Sequence, residues 1–405
     1  MINLNDKIRQ FLQNSPKETR ITSKADPFWT SLRKTGTEIW IDTGDVKDAE
    51  SNWSEEMSAL TTNNTIINKE IQKGIYDNFI AEVSELVKDL PEENKVQEIA
   101  FILNARHGLL LASRFGGYVS VELHTDIAHD IEAIVKYGKR YHEICPDQFV
   151  VKVPYTPSGF LGARKLKDAG VKVNFTLEFS ARQNVLVTLL ARPDYLNVFL
   201  SRVGVYLHDN KLGDGTGAGE MAVLATQKWV RKLSKENPWP TKLIVASLLD
   251  YEQLELLAGA DVFTIPPYVA EAGHAKLKGK FRSRLNENYP ISLFDSAKGV
   301  SIEKFWEVDD KVLALGKQLA SRLPLSGEEL VERAQNAGCG DMFPTLTSEE
   351  LDHLAKDGKI PVHARWEKKI QNGEIAPDTL LTLAGLATFE TSQNELDSRI
   401  KNIIS

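Results

Sequence analysis

Eight short runs rich in β-branched and aromatic residues punctuate the chain between residues 37 and 265, and stretches with helical spacing separate most of them. The runs are TEIWID (37–42), SALTTN (58–63), YVSVEL (118–123), QFVVKV (148–153), VKVNFTL (171–177), YLNVFL (195–200), TKLIVA (241–246) and ADVFTI (260–265). Between them lie segments such as VQEIAFILNARHGLLLASRF, AHDIEAIVKYGKRYH, GFLGARKLKDAG, GEMAVLATQKWVRKL and YEQLELLAG, whose apolar residues recur at helical spacing. A strand followed by a helix must cross over before it pairs again, so this alternation predicts a parallel sheet. Eight such units predict an α/β fold, a (β/α)8 TIM barrel. An open doubly wound sheet is the alternative, but no G-x-G-x-x-G follows the first run, which weighs against the dinucleotide-binding version.

The pattern divides the chain into an N-terminal helical segment (1–36) packed outside the barrel, the barrel itself (37–275) and a C-terminal helical extension (276–405). In the extension, IEKFWEVDDKVLALGKQLASRL (302–323) reads as one amphipathic helix. SGEELVERAQNAG, TSEELDHLAKDG and ETSQNELDSRIKNIIS read as short helices opening on Ser or Thr with Glu three residues on, the spacing of a capping box. Nothing in these residues chooses between a tail that covers the barrel bottom and one that meets another subunit.

Several function classes drop out on composition. The formal net charge of -7, without a basic stripe, argues against a nucleic-acid partner. No uncharged apolar run reaches the length of a membrane span, and the opening MINLNDKIRQ lacks the apolar centre of a secretory leader. Cys145 and Cys339 form no C-x-x-C pair, which fits a reducing, cytoplasmic setting. There is no HxH or HExxH cluster, so no metal is expected; His124 and Asp126 past the third run read as loop residues.

Lys152 interrupts the apolar run VVKVP. A lysine inside such a strand loses solvation, which favours the neutral amine, the nucleophile that attacks a carbonyl to form an imine. Alone, a lysine in a strand is more often a snorkelling edge residue. Its neighbours strengthen the chemical reading. Period-2 alternation puts Asn174 and Thr176 on one strand face, Ser120 and Glu122 on another, and Asn197, Phe199 and Ser201 on a third, with Arg202 just beyond. Asp42, Asn63 and Ser247 stand at the ends of their runs. Any one of these is more often a cap or turn residue, but seven consecutive strands ending in a polar group fit a site at the carboxyl ends of barrel strands. Imine chemistry needs an amine (Lys152), groups that hold and polarise a water (Glu122, Thr176) and an acid–base for carbon–carbon cleavage (Asp42). Asparagines offer donors and acceptors to sugar hydroxyls. No cofactor is required, because the iminium is itself the electron sink.

At these residues the sequence resembles the transaldolase family. The motifs are WIDTGDV, LTTNNTII, VVKVPYTPSGFLGARKLKDAGVKVNFTLEFS and NVFLSRV, and the likeness covers roughly residues 37–275. The resemblance implies that Lys152 is the Schiff-base lysine and Asp42 the acid–base. It implies that Glu122 and Thr176 hold the catalytic water, that Asn63 and Asn174 bind the donor sugar, and that Phe199 lies over the site. Arg202 and Ser247 match part of a phosphate site. The implied activity is transfer of a dihydroxyacetone unit from a ketose (phosphate) to an aldose (phosphate), as in the pentose phosphate pathway, by a protein that can form a homo-oligomer.

Three departures bear on the substrate. Leu249 stands where a second phosphate-binding arginine is expected, Asn197 where serine is usual, and Asn64 where the second motif usually has proline. Related aldolases carry glutamine and tyrosine at the positions of Glu122 and Phe199, so this chain has the transferase-like pair. The alternatives are an aldolase acting on a modified or non-phosphorylated sugar, and a non-catalytic ligand-binding barrel.

Overall fold

The computed structural model describes residues 3–16 and 18–405. Eight strands form a closed barrel in sequence order: β1 Glu38–Asp42, β2 Met57–Thr61, β3 Tyr118–Glu122, β4 Phe149–Pro154, β5 Val173–Thr176, β6 Tyr195–Phe199, β7 Lys242–Ala246 and β8 Val262–Ile265. Every neighbouring pair is parallel, and β8 closes onto β1. Each strand falls within two residues of the run that predicted it. All six residues of β4 are buried, as expected when one face meets the crossover helices and the other the barrel interior. Inside, Trp40 of β1 and Tyr195 of β6 meet edge to face with centroids 4.7 Å apart.

The first residues pack outside the strands, as expected. Helix Leu4–Gln13 is capped by Asn3, whose side chain accepts from Asp6 N, and buries Ile8 and Leu12. Gln13 Nε2 donates to the carbonyl of Ile144 at the end of a crossover helix. Helix Pro27–Arg33 starts on the cap Asp26, and Asp26 N donates to the carboxylate of Glu56 just before β2. Ile21 N donates to Arg114 O at the helix end before β3. This stretch therefore runs beneath the amino ends of the strands, away from the mouth.

The C-terminal segment departs from expectation in three ways. The helix expected over 302–323 is broken into a 3-10 turn, Ile302–Phe305, and an α-helix, Asp310–Ser321. The Asp309 side chain accepts from Val312 N, so it starts a new helix rather than continuing the old one. The last predicted short helix is the end of a 28-residue helix, Pro377–Ile404. Its first half, PDTLLTLAGL, is buried on nearly every side, which erases the periodicity of a one-faced helix. Thirdly, this helix does not cover the barrel bottom; its last turns pack on the helices between β2 and β3, where Arg399 Nη2 lies 2.7 Å from Asp77 Oδ2. It crosses the top. Thr382 Oγ1 donates to Leu177 O after β5 (2.8 Å), Asn64 Nδ2 after β2 donates to Gln393 Oε1 (2.8 Å), and His124 after β3 pairs with Asp397 (3.2 Å).

The docking is held by buried charge. Arg182 donates to Asp378 through Nε (2.8 Å) and Nη2 (2.7 Å), and to Asp341 through Nη1 (2.8 Å). Ser180 Oγ adds a 2.6 Å bond to Asp378, and Lys304 pairs with Asp341 at 2.7 Å. The capping box at Thr347 and Glu350 forms as its spacing predicts. At Ser326 only half of it forms, because Glu329 reaches back to Leu325 N instead.

Candidate active site

Parallel register sets the centre of the site. Glu122 of β3 faces Lys152 of β4, and Lys152 faces Asn174 of β5. Lys152 Nζ lies 3.5 Å from Glu122 Oε2 and donates to Thr62 O at 3.1 Å. Asn174 Nδ2 donates to Ser120 Oγ (3.0 Å), and Asn197 Nδ2 donates to Asn174 Oδ1 (2.7 Å) and to Phe175 O (2.5 Å). Polar groups from β3, β5 and β6 thus form one chain inside the barrel. This accounts for Asn197: its longer side chain spans to β5 and fixes the Asn174 amide.

Two buried oxygens beside the lysine stay unsatisfied by the protein. Glu122 Oε2 and Thr176 Oγ1 have no hydrogen-bond partner. Burial pushes the Glu122 carboxyl up to about 7, against the pull of Lys152. Asp42 closes β1, half-buried, and desolvation raises it to about 6 although Lys152 and Lys359 pull it down.

Above this layer a cavity of about 280 Å³ opens at the carboxyl ends of the strands. It gathers Asp42, Asn63, Lys152, Asn197, Phe199, Arg202 and Ser247 from the sequence-predicted set. Asn63 has a structural duty as well: its side chain accepts from Ile66 N and caps helix Asn64–Gln72. Phe199 packs on Phe179 at 5.6 Å, and the Arg202 guanidinium sits 5.3 Å from the Phe199 ring centre. Ser247 takes a left-handed backbone (φ 61), a strained conformation for a non-glycine residue at the rim. Ser201 turns aside to Gln253 (3.3 Å) and does not line the cavity. Neither does His124, which with Asp126 and Asp397 forms a cluster close enough to share one ion, although no metal-ligand spacing is present in the chain.

Sequence reasoning missed several residues at the site, Thr264 and Tyr268 among them. Lys69, Lys359 and Phe389 line the cavity but come from a crossover helix and from the C-terminal segment. Glu178 follows β5 in the run TLEFS, fully buried, with both carboxylate oxygens unpartnered, and burial raises its carboxyl well above the usual range. A single acid between apolar residues was the available signal.

A closed parallel barrel whose inner polar side chains collect at the carboxyl ends of its strands, around one buried lysine, defines a (β/α)8-barrel enzyme site. The chain belongs to the transaldolase/fructose-6-phosphate aldolase family, which matches residues 39–310. Among relatives, a transaldolase of Xanthomonas euvesicatoria pv. vesicatoria is 27% identical over 248 residues, covering 58% of this chain and 76% of its own length. A probable transaldolase of Thermus thermophilus is 30% identical over 233 residues, covering 56% of this chain and 86% of its own. The match stops before the helices that cross the mouth. Asn64 now has a reason: where the family motif usually has proline, this chain uses an amide that ties the second strand's loop to Gln393 of the C-terminal helix.

Proposed function

We propose that this enzyme transfers a dihydroxyacetone unit between sugars through an imine on Lys152. The observation that carries the reading is the placement of the Lys152 amine, 3.5 Å from a buried carboxylate whose affinity for a proton is near neutral pH. Lys152 Nζ, as free amine, adds to the ketose carbonyl carbon. The carbonyl oxygen gains a proton and leaves, with a second, as water. Glu122 shuttles these protons through a water that bridges it to Thr176 Oγ1, which satisfies both orphaned oxygens. Asp42 then takes the proton of the hydroxyl next to the bond that breaks. That hydroxyl becomes the aldehyde of the departing aldose, and the bonding pair moves into the iminium to give an enamine. The enamine carbon attacks a second aldehyde, Asp42 returns the proton, and hydrolysis frees the product.

In this reading Asn63, Asn174 and Asn197 orient the donor's hydroxyls, Phe199 screens the enamine, and Arg202 with Ser247 takes the phosphate. Phe199 carries no acidic group to protonate the enamine, so the intermediate waits for an acceptor, which favours transfer. The second reading, an aldolase on a less phosphorylated sugar, is favoured by Leu249. A cytoplasmic setting among sugar phosphates suits either.

Incubation with dihydroxyacetone and borohydride should leave a stable adduct that peptide mass mapping assigns to Lys152. Failure to trap one with any ketose would remove the imine reading. Turnover that requires an acceptor aldehyde selects the transferase over the aldolase.

A further inference from the structure

The cavity mouth holds more positive charge than the barrel motif supplies. Arg202 has its Nη1 buried without a hydrogen-bond partner, and burial lowers its guanidinium to about 10. Two lysines line the same cavity from outside the strand ends, Lys69 on helix Asn64–Gln72 and Lys359 on the turn after helix Ser348–Asp357. Among the described residues neither lysine nor Arg202 has an ion pair within 4.0 Å. They feel one another: the Lys359 ammonium is pushed down by desolvation, then by Arg202 and Lys69, with only Asp42 opposing. Three positive groups facing one cavity with a single carboxylate, Asp42, to offset them leave an excess of positive charge that an anionic group would relieve.

The C-terminal segment packs closely at this mouth. The C-terminal helix approaches Arg202 at Gly385, where an added Cβ would lie 3.4 Å from Arg202 Nη1 and 2.8 Å from Leu177 Cδ2. One turn on, Phe389 lines the cavity wall. Leu249, 56% exposed, lines the rim at the position where the family resemblance implies an arginine.

We propose that the C-terminal segment completes the enzyme's phosphate-binding subsite, with Lys359 replacing the cation absent at Leu249 and Lys69 assisting, so that the phosphate monoester of a sugar substrate bridges Arg202 and Lys359. This rests on the imine-transfer reading for its substrate, but its first test, phosphate binding, does not depend on turnover. Titration calorimetry of the full chain with inorganic phosphate compares wild type, Lys359→Met and Lys359→Arg. The expected result is affinity about tenfold or more weaker in Lys359→Met and largely restored in Lys359→Arg, the loss of one charge-assisted contact. The kcat/KM ratio for glyceraldehyde 3-phosphate over glyceraldehyde should fall by a similar factor in Lys359→Met. Equal phosphate affinity in all three proteins overturns the proposal, as does an unchanged ratio. Trapping of unphosphorylated dihydroxyacetone on Lys152 tests the parent reading separately, since that adduct needs no phosphate contact.

Discussion

Lys152 and Glu122 face each other in register on neighbouring strands, with the amine 3.5 Å from a carboxylate that has no hydrogen-bond partner on its nearer oxygen. Glu122→Gln keeps the shape and removes the proton shuttle. Its kcat should fall by about a hundredfold or more while the thermal melt stays close to that of the wild type. A variant that melts far earlier would make Glu122 a structural residue. Lys152→Ala should lose the borohydride adduct altogether.

Asp42 must be ionised to accept a proton, and its carboxyl titrates near 6. Below that pH the fraction of active base falls about tenfold per unit, so kcat/KM should decline on the acid side with Asp42 as a contributor alongside Glu122. Asp42→Asn separates the steps. It should still form the trapped imine with fructose 6-phosphate but release no glyceraldehyde 3-phosphate. Normal aldehyde release by that variant would place the base elsewhere.

Glu178 binds its proton more tightly in the folded chain than in the unfolded one. A raised carboxyl contributes stability at low pH that is lost as pH climbs from the unfolded value towards the folded one. Glu178→Leu removes both the titration and two unsatisfied oxygens. It should stabilise by about 1–3 kcal/mol, more at pH 8 than at pH 5, in urea melts. A destabilised Glu178→Leu at both pH values would mean that the carboxyl has a partner worth keeping.

The Arg182–Asp378 pair is buried and bidentate, and it anchors the start of the C-terminal helix on the first turn of helix Ala181–Leu190, which follows β5. Asp378→Ala leaves Arg182 with Asp341 alone, so the chain should lose about 3–5 kcal/mol of stability. Limited proteolysis should then cut first within 322–376. Unaltered proteolysis and stability would show that packing alone holds the segment.

Leu249→Arg restores a guanidinium at an exposed rim position. KM for phosphorylated acceptors should drop several-fold, and that variant should partly rescue Lys359→Met. No change in either background would mean that the side chain at 249 cannot reach the bound phosphate.

Most of the barrel and its inner polar groups were legible locally. Strand runs and their period-2 alternation depend only on neighbouring residues, so Lys152, Glu122, Asn174 and Asn197 could be assigned to inner faces before any fold was known. Their mutual distances needed the register, which pairs β3 with β4 and β4 with β5. The tail was legible as helix but not as a roof. Its longest helix buries nearly all sides of its first half, so no stripe says which face meets what. Contacts such as Asn64 with Gln393 and Arg182 with Asp378 join residues roughly two to three hundred positions apart, and no local pattern encodes them. The sequence by itself determined a closed barrel with a lysine among acids and amides. Only the tertiary structure decided that the last helix crosses the mouth and that Lys359 lines the same cavity as Arg202, because charge convergence is a property of distance in space.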